Sequence, residues 1–192
     1  MNDKLNRLLD HLETFLPKPL NDQDWKNSKA FRWQRRDSIF GSIGFLKPVK
    51  HLSDIEFDDL KHIDRQRDAI IENTQHFVDK KPANNILLTG ARGTGKSSLI
   101  KACLNQFANQ GLRLLEVDKD HLADLPDITE LLAVRPERFI VFCDDLSFED
   151  GESGYKAMKS ALDGSISAQV DNVLIYATSN RRHLLPEYMR DN

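Results

Sequence analysis

"NNILLTGARGTGKSSLIKA" (Asn84–Ala102) is the stretch on which the fold turns. "NNILLT" reads as a short apolar strand, and "GKSSLIKACLNQFANQG" as a helix closed by a C-terminal glycine, Gly111. Between them, Gly90 to Ser97 fit G-x-x-x-x-G-K-[ST] in full. Each residue type has a reason. Glycines at 90, 93 and 95 let backbone N–H groups approach phosphate oxygens with no side chain in the way. Lys96 supplies a positive charge for the β/γ-phosphates, the Ser97 hydroxyl a ligand for Mg²⁺, and the helix start a partial positive charge. A glycine turn joining a strand to a helix is the bland alternative, but strand, loop and helix stand in the order that phosphate binding needs. The expected phosphate cradle is Gly90, Ala91, Arg92, Gly93, Thr94, Gly95, Lys96, Ser97 and Ser98.

The same rhythm continues downstream. "LRLLEVD" is a second strand, and "DITELLAV" a short helix opened by an Asp127-to-Glu130 box. "RFIVFCDD" is a third strand, "GYKAMKSALDGSI" a helix and "NVLIYATSN" a fourth strand. Strands that are continuous apolar runs, alternating with helices, predict a parallel sheet covered on both faces, a three-layer α/β fold.

The third strand ends on two carboxylates. Asp144, the first after the apolar run, is the expected partner of Ser97 at Mg²⁺, and Asp145 is placed to orient and polarise an attacking water. Aspartates that merely terminate a strand are the alternative. Glu is the commoner residue at the second position, and a misplacement of about 1 Å can cost roughly a hundredfold in rate. If Asp145 is only a short glutamate, exchanging it for Glu should preserve or raise activity.

Bulk properties set the frame. Net charge is −3 over 192 residues, and residues 1–82 carry 15 basic and 14 acidic side chains, so no half is a nucleic-acid footprint by charge alone. Cys103 and Cys143 lie in apolar segments without metal-type spacing, which fits two buried thiols in a reducing cytosol. The N-terminal "MNDKLNRLLDHLETFL" carries Asp3, Asp10 and Glu13 and so lacks the apolar core of a secretory signal. It predicts an amphipathic helix over 3–16 with one leucine-rich stripe. No run approaches the roughly 20 apolar residues of a membrane span, so a soluble cytoplasmic protein is expected. Residues 20–53 look irregular, with Gly41, Gly44 and Pro48 as breakers and "LKPVKHL" as a short extended piece. Residues 64–79 place Ile70, Ile71, Thr74 and Phe77 on one helical face. The expected division is an N-terminal extension over 1–56 and a nucleotide-binding core over 57–192.

From Phe57 onward the chain resembles an AAA+ ATPase core. "FDDLKHIDRQRDAIIENTQHF" is similar to the lead-in helix, the loop to Walker A, "FIVFCDD" to Walker B and "LIYATSNRRHLLP" to the sensor-1 strand. The Asp-Asp-Leu ending resembles that of bacterial replication-initiator and transposase-helper ATPases. The string "PANNILLTGARGTGKSSLIKA…FCDDLSFE…YATSNRRHLLPEYM" looks still more like a family of bacterial AAA+ ATPases of undefined biological role. The resemblance implies ATP and Mg²⁺ as ligands and a homo-oligomer that remodels a macromolecular partner. It makes Asp145 a competent water-orienting residue, Lys96 a catalytic one, and Asn180 sensor 1, with Thr178 and Ser179 as near alternatives. AAA+ proteins also have a fifth strand, a helical lid with sensor 2 and an arginine finger. This sequence ends at "EYMRDN", and Arg190 is its last arginine, so a truncated core with weak turnover is the expectation. "DKDHLADLP" lacks the aromatic-glycine pair of a threading pore loop, which speaks against an unfoldase.

Elsewhere, "KAFRWQRRD" (Lys29–Asp37) interleaves Arg32, Arg35 and Arg36 with Phe31 and Trp33. Such a stretch either stacks bases and holds phosphates or packs its aromatics on a core while the arginines stay solvated. His51, His62, His76, His121 and His183 follow no metal-ligand spacing. Two further function classes stand beside the AAA+ ATPase: a P-loop kinase, whose usual substrate insert is not visible here, and a nucleotide-binding scaffold without turnover. Strand order separates ATPase from kinase, because AAA+ places the sensor-1 strand between the P-loop and Walker B strands. Phosphate release without an acceptor separates ATPase from scaffold.

Overall fold

The computed structural model describes residues 17–38, 41–148, 153–162 and 170–181. The helix expected over 3–16, together with Arg190 and the other residues after Arg181, lies outside the described residues. In chain order the elements are α1 (Asp22–Asn27), β1 (Ala30–Ser38), β2 (Gly41–Pro48), α2 (Asp64–Val78), β3 (Ile86–Thr89) and α3 (Lys96–Phe107). They continue with β4 (Leu112–Glu116), α4 (Leu125–Ala133), β5 (Arg138–Cys143), α5 (Ser153–Leu162) and β6 (Val173–Ser179).

Six strands form one sheet in the order β2-β1-β4-β5-β6-β3. All neighbours run parallel except the β1–β2 hairpin. β6, which runs up to Asn180, thus lies between β3, which leads into the Gly90–Ser97 loop, and β5, which runs up to Asp144, the order expected of an AAA+ P-loop core. Strand position follows from the residues. β5, "RFIVFC", is buried from Phe139 to Cys143 because helices cover both its faces, whereas β3 alternates in burial as an edge does. Along β5 the side chains divide with period two. Phe139, Val141 and Cys143 pack with Ile128 and Leu132 of α4 and Met158 of α5. Ile140 and Phe142 pack with Ile70 and Phe77 of α2 and Ile100, Leu104 and Phe107 of α3. The sheet therefore has a core on each face, as the apolar runs predict.

Residues 20–53 correct the expectation of irregular structure. Asn21 caps α1 in a reciprocal box with Asp24, and β1 and β2 pair from Phe31↔Pro48 to Ser38↔Gly41. β1 joins the parallel sheet through Ala30↔Leu114 to Arg32↔Glu116. The period-two pattern was masked because Trp33 and three arginines share one strand, with Phe31 and Trp33 in one core, Ala30 in the other, and nothing beyond Trp33 fully buried. The presumed breakers have strand roles. Gly41 takes φ +107° where β2 begins, and Gly44 lies against the Trp33 ring, where a Cβ would meet ring carbon Cζ2 at 2.1 Å.

The aromatic-basic segment takes its bland reading. Phe31 and Trp33 are buried, and Trp25 lies under the Arg135 guanidinium at 4.5 Å. Arg32 pairs with Glu116 at 2.8 Å, and Arg35 with Asp124 at 3.1 Å. Trp25, Phe31 and Trp33 are thus core residues and not a stacking platform. The α4 start is a second correction. The helix begins at Leu125 with Pro126 in its first turn, after a 3₁₀ segment over Lys119–Asp124, so Asp127 lies inside the helix instead of capping it. Among the described residues no helix is long and apolar enough to cross a membrane.

Candidate functional site

The loop from Gly90 to Gly95 leaves the end of β3 with backbone angles that demand glycine. Gly90, Gly93 and Gly95 have φ of +151°, +80° and +84°. Gly90 N–H donates to the Ser179 carbonyl at 3.2 Å, which stitches the loop to the end of β6, and the Thr94 hydroxyl closes the loop on the Ala91 carbonyl at 2.8 Å. Gly95 is the N-cap of α3, so the first helical residues are Lys96 and Ser97. Ala91, Arg92, Gly93 and Thr94 are exposed, and Ser98 is half-buried behind them.

Lys96 Nζ donates to the carbonyls of Gly90 and Ala91, both at 2.8 Å, and to Asn180 Oδ1 at 3.0 Å. The Asn180 amide nitrogen in turn donates to the Asp145 carboxylate. One amide at the tip of β6 therefore joins the loop lysine to the second carboxylate. On the other side, Ser97 Oγ donates to Asp144 Oδ1 at 2.6 Å. Lys96, Ser97, Asp144, Asp145 and Asn180 are thus brought together at the carboxyl ends of β3, β5 and β6, where a parallel sheet places its ligand sites.

Thr178, considered from sequence only as a stand-in for Asn180, occupies a place of its own. Its hydroxyl donates to Asp144 Oδ1 at 2.5 Å and accepts the Asp145 N–H at 2.8 Å. The neighbouring Leu146 N–H donates to the Thr178 carbonyl at 2.7 Å, and Ser179 Oγ to the Leu146 carbonyl at 2.7 Å. Asp145 has φ +53°, a left-handed conformation that Asp and Asn tolerate better than most side chains. The available sequence signal was the change from apolar to hydroxyl residues at the end of "VLIYATS".

The donor set suits Mg²⁺. A hydroxyl and a carboxylate already in contact are hard oxygen ligands, and Mg²⁺ commonly takes one or two protein ligands and fills its octahedron with water and substrate phosphates. Among the described residues no three His, Cys, Asp or Glu side chains cluster as a separate metal site. The cysteines stand apart from this chemistry. Burial pushes the Cys103 and Cys143 thiols up to about 12, leaving little reactive thiolate near neutrality. Tyr176 is also driven up to about 12 by burial, and its hydroxyl meets Thr74 and Asn73, both at 2.9 Å, in a knot between α2 and β6.

Comparison with known proteins places the chain. A family model described as "Protein of unknown function (DUF815)" matches residues 26–192. The chain belongs to the DUF815 family. The match to DUF815 begins at Lys26 and so runs through the hairpin as well as the phosphate loop. No curated protein matches the sequence. Among solved structures, it is similar to PCH-2 of C. elegans at 23% identity, covering 68% of this chain and 40% of that one, with a TM-score of 0.49. It is also similar to AMPPCP-bound DnaA from Aquifex aeolicus at 16% identity, covering 69% and 44%, with a TM-score of 0.48. The chain thus spans less than half the length of either protein. Strand order and loop geometry carry the fold assignment.

Proposed function

We propose that this protein binds ATP with Mg²⁺ at the Gly90–Ser98 loop and hydrolyses it. Binding and hydrolysis would drive remodelling of a macromolecular partner by a homo-oligomer in the cytoplasm. The observation that carries the reading is the convergence of Lys96, Ser97, Asp144, Asp145 and Asn180 at one point. Lys96 exchanges its carbonyl partners for phosphate oxygens, a charge-assisted contact. Ser97 and Asp144 hold Mg²⁺, which when bound neutralises charge developing on the phosphates. Asp145 orients the attacking water, and Asn180, bonded to both Lys96 and Asp145, registers the γ-phosphate. The position of β6 between β3 and β5 favours this over the kinase reading.

Phosphate release from Mg·ATP with no added acceptor, together with calorimetric ATP binding, tests the proposal. Asp144→Asn should weaken Mg²⁺-dependent binding and turnover together. Tight binding with no release would move the assignment to a non-hydrolysing scaffold, and unchanged Mg·ATP affinity in Asp144→Asn would remove Asp144 from the metal.

A further inference from the structure

We infer that Thr178 is the positioning residue of the metal carboxylate, its one hydroxyl setting both the rotamer of Asp144 and the left-handed backbone of Asp145. This rests on the ATP and Mg²⁺ reading above and adds to it a residue that touches neither ligand.

The geometry is specific. Thr178 is only 1% exposed, at the end of a strand otherwise buried among apolar side chains. A hydroxyl in such a place is costly unless its bonds are made. Here both of its capacities are used, as donor to Asp144 Oδ1 and as acceptor from the Asp145 N–H. Asp144 Oδ1 also receives Ser97 Oγ at 2.6 Å and the Asp145 N–H at 3.1 Å. Ser97 is a metal ligand in the proposed complex, so its bond to Asp144 is open to change on binding. The Thr178 bond comes from the buried side and does not compete with a ligand. It therefore fixes the carboxylate in the bound and free states alike. Its bond to the Asp145 N–H holds the turn that aims the second carboxylate at Asn180. Metal ligands are generally oriented by such outer partners, whose loss typically costs about 10–100-fold in metal affinity or activity.

Calorimetry of ATP binding to the full chain, with Mg²⁺ and with EDTA, reads this directly. Thr178→Val keeps the branched shape and deletes the hydroxyl, and should weaken Mg·ATP binding roughly 10–100-fold while metal-free ATP binding stays unchanged. Thr178→Ser, which keeps the hydroxyl, should recover most of the loss. In an Asp144→Asn background Thr178→Val should cost nothing further, since the two act as a unit. Unmoved Mg·ATP affinity in Thr178→Val overturns the inference. Equal losses with and without metal, or failure of serine to restore binding, would also overturn it by making Thr178 a packing residue. A parent chain that binds no Mg·ATP would instead defeat the ATP reading, and the inference with it.

Discussion

The phosphate loop and the seam between β5 and β6 meet at one site but are held in opposite ways. The loop is exposed, takes its shape from glycine backbone angles, and has its lysine bonded to carbonyls of the same loop. The seam is internal. Thr178 and Ser179, 1% and 0% exposed, tie the Asp144–Leu146 turn down through side-chain and main-chain bonds. The loop's lysine bonds are at least partly exposed and open to exchange, while the seam's bonds are made by the buried Thr178 and Ser179 hydroxyls. Under the proposed function, recognition would fall on the adaptable half and catalytic aim on the rigid half.

The largest test of this contrast lies where the halves touch. Asp145→Asn should lower single-turnover ATP hydrolysis by about 10²–10⁴-fold, the usual worth of a base or orienting group, with ATP affinity almost unchanged. Undiminished turnover would sink the role given to Asp145. Next comes the loop side. Lys96→Ala should weaken ATP binding by roughly 10–100-fold through loss of charged hydrogen bonds, as read by calorimetry. Its stability should stay within about 0.5 kcal/mol of the parent in urea denaturation, because the residue is partly exposed. The seam should show the reverse signature. Ser179→Ala leaves the buried Leu146 carbonyl without its donor and should cost about 1–3 kcal/mol of stability while affinity changes little. If Lys96→Ala destabilises the fold more than Ser179→Ala does, the contrast is wrong.

The smallest effect concerns the choice of Asp over Glu. At φ +53° position 145 suits Asp better than Glu, so Asp145→Glu should destabilise by about 1 kcal/mol in the same assay. Equal stability would mean that the left-handed backbone does not select the residue.

What the sequence revealed follows from how each feature is encoded. The four strands after residue 85 were legible because burial on both faces makes continuous apolar runs, and the loop was legible because its glycines, lysine and serine are contiguous. Ser97, Asp144 and Asn180 could be named from the motifs and their resemblance; the fold bonds Ser97 to Asp144, and Asn180 to Lys96 and Asp145. The hairpin was not legible. Its outward positions hold arginines, one inward position is a glycine facing Trp33, and β1 meets β4 in a pairing more than eighty residues distant in sequence. Thr178 was half legible. A hydroxyl at a strand end says that something polar is near, but only the register Cys143↔Ala177 says that the neighbour is Asp144.

The two buried thiols have a practical consequence for spectroscopy. Both cysteines of the chain are enclosed, and each titrates near 12, so reagents that capture thiolates at neutral pH should pass them over. A cysteine introduced at an exposed site on the hairpin, such as Lys47→Cys, would then be the one fast-reacting sulfur in the molecule. A fluorophore or spin label attached there would report on the β1–β2 arm against a silent background, with both native cysteines left in place.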